Sequence, residues 1–107
     1  MSLADYQKQV DDLLKPYEKP YWHPLSQLAH IAEEVGEVAR ILNHHYGDKP
    51  KKATEELEEL ESEVADVLFS LICLANSEHI NLDEALKKAM DKHENRDKDR
   101  FPKKQDM

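Results

Sequence analysis

The segment from Leu25 to Tyr46 constrains the fold more than any other part of the sequence. Its apolar residues alternate spacings of three and four, which is the period of one face of an α-helix. This stripe, termed the apolar seam, consists of Leu25, Leu28, Ala32, Val35, Ala39, Leu42 and Tyr46. The pattern predicts a helix from Pro24 to about His45, ended by Gly47 and Pro50, and it requires a packing partner for the seam.

The N-terminal residues predict a first helix. Ser2 is suited to cap it, because a serine side chain at this position satisfies backbone N–H groups of the first turn. Apolar residues at helical spacing continue to about Lys15, after which Pro16 and Pro20 prevent the helix from continuing. We interpret this segment as a packing helix.

Two more helices are predicted in the second half of the chain. The third is expected to begin near residues 51–54 and to run to about Glu78. Its half from 64 to 75 is so apolar that burial on all sides is expected. Asn81 then caps a fourth helix, which is expected to end near residues 95–98.

The composition agrees with helices throughout. Only two glycines occur, and the sequence lacks the turn chemistry that a β-rich chain needs. We therefore expect an all-α fold, with residues 1–107 as a single domain built as a helical bundle of four main helices and residues 103–107 as a flexible tail. The hydrophobic content of 39 % is modest for a monomer, so we expect a second copy of the chain to complete the core.

The charge balance excludes several classes of function. The formal net charge is −8, with 23 acidic side chains against 15 Lys and Arg, which argues against nucleic-acid binding and against adhesion to an anionic membrane. The longest nearly apolar run is far shorter than a membrane span, and the N-terminus does not resemble an export signal. The one cysteine, Cys73, has no disulfide partner. These features predict a cytoplasmic location.

Two of the predicted helices each carry a pair of acids three residues apart, Glu34 with Glu37 and Glu63 with Asp66. Residues at this spacing face the same side of a helix, so each pair can converge on one point. A helical wheel places these acids within or beside the apolar faces. Burying ionised carboxylates there requires a compensating positive charge. Mg²⁺, or alternatively Mn²⁺, suits an all-carboxylate set, so the four acids are predicted metal ligands.

An ordinary solvated surface is the competing interpretation of acidic side chains. We accept it for the other acids of the third helix, because they lack apolar flanks. These residues are Glu55, Glu56, Glu58, Glu59 and Glu61.

The two acid pairs also form a longer pattern. Residues 33–37 read E-E-x-x-E and residues 63–66 read E-x-x-D, and in this the sequence resembles the MazG-like all-α nucleotide pyrophosphohydrolases. Trp22-His23-Pro24 resembles the substrate-pocket segment of that family. Asn95-Arg96, followed by Arg100-Phe101-Pro102, resembles the end of its last helix. The resemblance covers residues 22 to 102.

The resemblance implies an enzyme that converts a nucleoside triphosphate to the monophosphate and pyrophosphate, with Mg²⁺ on the positions of Glu34, Glu37, Glu63 and Asp66. Glu33 and Glu37 match motif acids and are the candidate catalytic residues. Family members tend to assemble as dimers or tetramers, and clearing unwanted nucleotides is the expected role. The candidate substrate-binding residues are Trp22, for stacking on a base, and Lys88, Lys92, Asn95 and Arg96, for meeting phosphate oxygens.

Two alternatives to this function stay open from the sequence alone. One is hydrolysis of phosphoribosyl-ATP within the same superfamily, and the other is a non-catalytic acidic helical module that docks a basic partner. A di-iron carboxylate site is disfavoured, because no histidine has the E-x-x-H spacing with an acid. The sequence does not specify the base or sugar, the number of metals, the general base, or whether the working form is a dimer or a tetramer.

Overall fold

The computed structural model describes residues 1–48 and 57–105, with side chains from residue 59 onward in the second part. Helices account for all regular structure within these residues, which confirms the all-α prediction. They are α1 (Leu3–Leu14), α2 (Pro24–Tyr46), α3 (Leu57–Ser77) and α4 (Leu82–Arg96). The predicted start of the third helix near residues 51–54 lies outside the described residues. Of the helices described, none has the length and apolarity needed to cross a bilayer.

Reciprocal capping fixes the start of α1. The Ser2 hydroxyl accepts a hydrogen bond from the Asp5 N–H at 3.1 Å, and the Asp5 carboxylate accepts one from the Ser2 N–H at 2.9 Å. Asp83, from the first turn of α4, accepts bonds from the N–H groups of Leu3 and Ala4, both at 3.1 Å. One carboxylate therefore joins the N-terminal ends of α1 and α4, where helix dipoles favour negative charge.

The C-terminal ends of α2 and α3 close in different ways. The Gly47 N–H donates to the Asn43 carbonyl at 2.9 Å, and a Cβ at Gly47 would lie 2.6 Å from that carbonyl oxygen, so the close approach requires glycine. After α3, His79 takes the left-handed conformation with φ of 58°. This allows the Ile80 N–H to donate to the Ala75 carbonyl at 2.8 Å and to end the helix.

The antiparallel pair of α2 and α3 forms the main packing contact of the chain. At one end of the pair, Gln27 Nε2 donates to Ser77 Oγ at 2.9 Å. Toward the other end, Glu34 lies against Glu63 and Asp66. The buried hydrophobic core is small and consists of Val10, Ile31, Ile41, Ile72 and Ala75.

The apolar seam of α2 is largely exposed in the single chain, so the described residues do not supply the packing partner that its pattern requires. Leu25, Leu28 and Tyr46 are 71 %, 56 % and 72 % exposed. The surface of α2 has two neighbouring apolar arcs, of which the apolar seam is one. The second arc packs on α3 and also carries Glu34, which meets the acids of α3. The residues of α2 that are buried there are Gln27, Ile31, Ile41 and His44.

The apolar half of α3 is also buried on one side only, where burial on all sides was expected. Ser70, Ile72 and Ala75 are buried, whereas Val64 and Leu68 are about half exposed. The physical reason is that α2 and α1 cover only part of its circumference. The Cα radius of gyration is 17.9 Å, against about 13 Å for a compact globule of this length. The single chain is therefore open and leaves apolar surface on two helices.

A polar junction holds α4 close to α1. Gln7 Nε2 donates to Asn76 Oδ1 at 3.0 Å and to the Ile80 carbonyl at 2.7 Å, while the Leu82 N–H donates to Gln7 Oε1 at 3.0 Å. With the Asp83 cap, this junction places the start of α4 beside α1. The position of α4 bears on the active site, because α4 carries the predicted phosphate-binding residues.

Candidate active site

Three of the four predicted metal ligands converge where α2 faces α3. Glu34, Glu63 and Asp66 each present a carboxylate oxygen, and these oxygens lie within 4.8 Å of one another. The acid cluster, as these three residues are termed, runs from the half-buried Glu34 and Glu63 to the exposed Asp66. The arrangement follows from the spacing of three within α3 and from the antiparallel packing of the two helices.

Three other carboxylates concentrate negative charge around Glu63. The neighbouring Glu34 carboxyl raises the pKa of Glu63, first because a proton shared between the two is favourable, and then through burial and the charges of Glu34, Asp66 and Glu37. Glu63 Oε2 is buried, and within the described residues no donor reaches it. A buried carboxylate oxygen without a donor, beside two further carboxylates, is an arrangement that a cation stabilises.

The other two motif acids lie apart from this convergence. Arg40 binds the Glu37 carboxylate, with Nη2 at 2.9 Å and Nε at 3.0 Å from Oε2. Glu37 is therefore close enough to influence Glu63 but is not one of the three converging ligands. Glu33 is exposed on α2.

A cavity of about 300 Å³ opens beside the acid cluster. Its inner wall comes from α2 and α3, and its rim comes from the end of α1 and the connector to α2. Aromatic and aliphatic surface dominates the lining, which is typical of sites that hold a flat organic group. The lining residues are Leu14, Tyr17, Lys19, Pro20, Tyr21, Trp22, Gln27, His30, Phe69, Ser70 and Cys73.

Two residues connect the cavity with the acid cluster, each one helical turn from an acid. His30 lines the cavity, and its Nε2 lies 3.7 Å from Glu34 Oε1. Ser70 lines it from α3 and donates to the Asp66 carbonyl at 2.9 Å. The inner wall of the cavity is therefore adjacent to the carboxylates.

The half-buried Tyr21 phenol and Cys73 thiol of the cavity wall are held neutral by raised pKa values. Burial and the hydrogen bond to Asp11 raise the pKa of Tyr21 to about 12. Burial also raises the pKa of the Cys73 thiol. The Cys73 side chain is half buried and lines the cavity.

The structure places the predicted substrate-binding residues in two separate regions. Trp22 is 56 % exposed at the cavity rim, and its ring meets His30 edge-on with centroids 5.6 Å apart. This position agrees with stacking on a ligand and not with a role as a core anchor. The polar residues of α4 are exposed on a helix that packs on α1, so the single chain does not bring them to the acid cluster. They are Lys88, Lys92, Asn95 and Arg96.

The sequence analysis did not identify His30 and Gln27 as site residues. His30 precedes Glu34 by four positions and Gln27 precedes it by seven, so both share its face of α2. The signal for His30 is its spacing of four from Glu34, which differs from the E-x-x-H spacing of di-iron sites. Gln27 was missed because a glutamine on a helix ordinarily lies in solvent, whereas here it is 6 % exposed.

Comparison with known proteins connects this geometry to a family. The profile of the MazG nucleotide pyrophosphohydrolase domain matches residues 23–101. The matched segment contains the acid cluster, the helix pair that carries it and the whole of α4.

Individual relatives match over nearly the full length. The uncharacterized protein YpjD of Bacillus subtilis (strain 168) is 47 % identical over 105 residues, which is 98 % of this chain and 95 % of the relative. A crystal structure of YpjD from Bacillus subtilis, described as a candidate pyrophosphatase, superposes with a TM-score of 0.79 over 86 % of this chain and 94 % of that one. The Bacillus-conserved MazG protein, a nucleotide pyrophosphohydrolase, is 39 % identical with a TM-score of 0.77, over 92 % of this chain and 96 % of that one.

Proposed function

This chain belongs to the MazG nucleotide pyrophosphohydrolase family and is a hydrolase of acid anhydrides, and from this premise we propose that it converts a nucleoside triphosphate to the monophosphate and pyrophosphate with Mg²⁺. The observation that carries the proposal is the convergence of Glu34, Glu63 and Asp66 beside a cavity large enough for an organic group. The proposed role is clearance of unwanted nucleotides from the cytoplasmic pool.

The donor set fits a hard divalent cation. Carboxylate oxygens are the ligands that Mg²⁺ and Mn²⁺ prefer, and Glu63 Oε2 has no competing donor among the described residues. Glu34, Glu63 and Asp66 would hold the metal. Glu37 would join them by releasing Arg40, a side-chain movement on the surface of α2. When bound, the metal would neutralise triphosphate oxygens and lower the pKa of a bound water.

The positions of the cavity and the acid cluster determine how the substrate is oriented in this proposal. The cavity takes the base, with Trp22 at its rim, and the triphosphate extends past His30 and Ser70 toward the acid cluster. The water that attacks the α-phosphorus needs a group to orient it, and the two candidates are the remaining motif acids of α2. Glu37 is close enough to influence Glu63, whereas Glu33 is exposed and would act only from outside the cluster. No side chain of the protein has to form a covalent intermediate.

A second copy of the chain supplies what one copy lacks. The exposed apolar seam of α2 and the half-exposed apolar side of α3 are suited to bury one another across a dimer or tetramer interface. The polar residues of α4 are remote from the acids of their own chain, so in this proposal they reach the triphosphate bound by a neighbour. These residues are Lys88, Lys92, Asn95 and Arg96.

Product analysis tests the proposal directly. Purified protein is incubated with ribo- and deoxyribonucleoside triphosphates and Mg²⁺ in water enriched in ¹⁸O, and monophosphate and pyrophosphate are quantified. Attack on the α-phosphorus places the heavy oxygen in the monophosphate, whereas attack on the γ-phosphorus gives labelled inorganic phosphate. Equimolar monophosphate and pyrophosphate with the label in the monophosphate is the expected result.

A matched pair of variants assigns the activity to the acid cluster. Glu63→Gln removes a ligand while keeping the shape of the side chain, and Glu61→Gln makes the same change at an exposed position two residues away on α3. We expect a loss of at least about a hundredfold in kcat/KM for Glu63→Gln and little change for Glu61→Gln. Equal activity of the two variants, or no hydrolysis of any nucleotide by folded wild-type protein, contradicts the proposal.

A further inference from the structure

The second half of α4 and the turn after it are basic in an otherwise acidic chain. Residues 87–104 carry eight of the fifteen Lys and Arg but four of the 23 acids. Lys88, Lys92 and Arg96 follow one another at a spacing of four, so they share one exposed face of α4. A surface of this charge attracts an anionic ligand.

Asp97 is the one acid of this basic segment whose side chain is mostly covered, at 15 % exposed. Its Oδ1 accepts a hydrogen bond from Arg96 Nε at 3.1 Å and lies 3.6 Å from Arg100 Nη1. Its Oδ2 lies 3.4 Å from Arg96 Nη2 and 3.0 Å from His93 Nδ1. The hydrogen bonds from Arg96 and then from His93 hold the pKa of the Asp97 carboxyl below its usual range. One ionised carboxylate therefore gathers both arginines of the segment.

Helix stability does not account for this placement of an acid. Asp97 occupies the C-cap of α4, where the helix dipole disfavours a negative charge. Ion pairs at an exposed surface also add little to stability, and Arg96 and Arg100 are 54 % and 63 % exposed. The contacts instead fix the direction of two long side chains that have many rotamers.

Both arginines keep donors for a ligand while Asp97 holds them. A guanidinium has five N–H groups in a planar fork, and Arg96 turns its Nε and Nη2 toward Asp97. Its outer edge, which includes Nη1, stays available for contact with a phosphate. Arg100 turns Nη1 toward Asp97, and its guanidinium lies over the Phe101 ring, 5.3 Å from the ring centroid. The Arg100 N–H also donates to the Asp97 carbonyl at 3.0 Å, which fixes the turn between the two residues.

From this geometry we infer that Asp97 is a positioning residue, which orders Arg96 and Arg100 to bind phosphate oxygens of the triphosphate. The inference rests on the proposed function, in which α4 reaches the triphosphate bound by a neighbouring chain. Asp97 itself touches no substrate. Its effect is preorganisation, because arginines that are already ordered lose less rotamer freedom when a phosphate binds. Ordering one such side chain is worth roughly twofold to tenfold in affinity.

The sign of the change in KM separates positioning from simple charge. Asp97→Asn removes the charge of the carboxylate and keeps the size of the side chain. If Asp97 acted through its charge alone, the substitution would make the segment more positive and would lower KM for an anionic nucleotide. Loss of positioning raises KM instead. We expect a rise of about fivefold with kcat changed by less than about twofold, because these contacts hold phosphates in the ground state and the transition state alike.

Asp99→Asn is the matched control. It removes the same charge two residues away, from an exposed side chain that makes none of the contacts of Asp97. KM is expected to stay at the wild-type value or to fall below it. Asp97→Glu restores the charge with one more methylene and should recover part of the loss. A KM for Asp97→Asn at or below the wild-type value, or one that rises no more than in Asp99→Asn, overturns the inference.

A second background shows whether Asp97 acts through the arginines. In a protein that carries Arg96→Ala, the added Asp97→Asn is expected to raise KM by a smaller factor than in the wild-type background, because one of the two positioned groups is gone. An equal or larger factor would assign Asp97 to the fold of the helix end and overturn the inference. Asp97→Ser also removes the carboxylate and makes the same comparisons if Asp97→Asn does not fold.

The outcomes for the inference and for the proposed function are distinguishable. Hydrolysis by the wild type with no rise in KM in Asp97→Asn overturns the inference alone. No hydrolysis of any nucleotide by folded wild-type protein overturns the proposed function and, with it, the inference.

Discussion

The imidazole Nε2 of His30 lies 3.7 Å from Glu34 Oε1, while the same ring meets Trp22 edge-on. One side chain on α2 thus contacts both the acid cluster and the cavity rim. A group next to a metal-binding carboxylate orients that carboxylate, and partners of this kind affect metal affinity almost as much as the ligands. In the proposed enzyme, His30 would therefore couple the position of the base to the position of Glu34.

Two substitutions of His30 separate its two contacts. His30→Phe keeps an aromatic ring against Trp22 but loses the nitrogen beside Glu34, so the Mg²⁺ concentration for half-maximal activity is expected to rise roughly tenfold with a small change in KM for nucleotide. His30→Ala loses both contacts and raises both quantities. Steady-state kinetics at varied Mg²⁺ measures them. If His30→Phe and His30→Ala behave alike, the ring contact with Trp22 has no role.

Metal binding by the acid cluster predicts a change in thermal stability. A ligand that binds only the native state raises the melting temperature, and at about 100 times its Kd it adds about 2.7 kcal/mol to the free energy of unfolding. We expect Mg²⁺ and Mn²⁺ to raise the melting temperature of the wild type and Asp66→Asn to abolish the rise. Glu61→Gln serves as the control and should respond like the wild type. The same rise in Asp66→Asn would place the metal elsewhere.

The raised pKa of Glu63 predicts a pH dependence in metal-free buffer. The native state holds a proton on this carboxyl at pH values above 4.5 where the unfolded chain has released it, so stability falls as pH rises through that window. Glu63→Gln has no proton to lose at this position. In EDTA, the melting temperature of Glu63→Gln minus that of the wild type is therefore expected to grow as the pH rises above 4.5. The difference should level off once the pH exceeds the pKa of Glu63 in the folded protein.

Glu61→Gln controls for the loss of one acid from α3. Its melting temperature, measured over the same pH series, should not reproduce the trend of Glu63→Gln. Restoring Mg²⁺ at neutral pH should reverse the order and make the wild type the more stable protein, because the ionised carboxylates then have a counter-charge. A difference between wild type and Glu63→Gln that is constant with pH contradicts the coupling of Glu63 to Glu34.

The sequence predicted the helices and the common facing of Glu63 and Asp66 because both depend on local spacing. Ser2, Gly47 and Asn81 mark helix ends through contacts within one turn, and the structure has them at those ends. Glu63 and Asp66 must share a face at a spacing of three. Such features are decided by the geometry of one helix and need no knowledge of the remaining chain.

The structural features that the sequence did not predict depend on which faces of different helices meet. The apolar seam and the face of Ile31 and Ile41 are adjacent arcs of α2, and their hydrophobicity does not decide which one packs on α3. The cavity is made by residues from α1, the connector, α2 and α3, so no local pattern marks Gln27 or Phe69 as its lining. The distance of α4 from the acids likewise depends on the Asp83 and Gln7 contacts across the chain.

The rim position of Trp22 predicts a defect in substrate binding. Loss of a ring that stacks on a base costs about 1–3 kcal/mol, so Trp22→Ala is expected to raise KM by roughly tenfold with kcat nearly unchanged. Trp22→Phe should recover part of the loss. Tyr6→Ala, which removes a half-exposed ring from α1 away from this cavity, is the control. A fall in kcat with unchanged KM would assign Trp22 to the reacting end of the substrate instead.

Subunit mixing tests whether α4 acts on a neighbouring site. Lys88→Ala combined with Lys92→Ala removes two cations of α4, and Asp66→Asn removes a metal ligand, so each protein alone is expected to be inactive. In the proposed dimer, a mixed pair has one site with intact acids from one chain and intact cations from the other. After subunit exchange of an equal mixture, half of the dimers are mixed and half of their sites are intact, which gives roughly a quarter of the wild-type activity. Sedimentation of the wild type establishes the oligomeric state, and an exchanged mixture with no more activity than its parents shows that each chain uses its own α4.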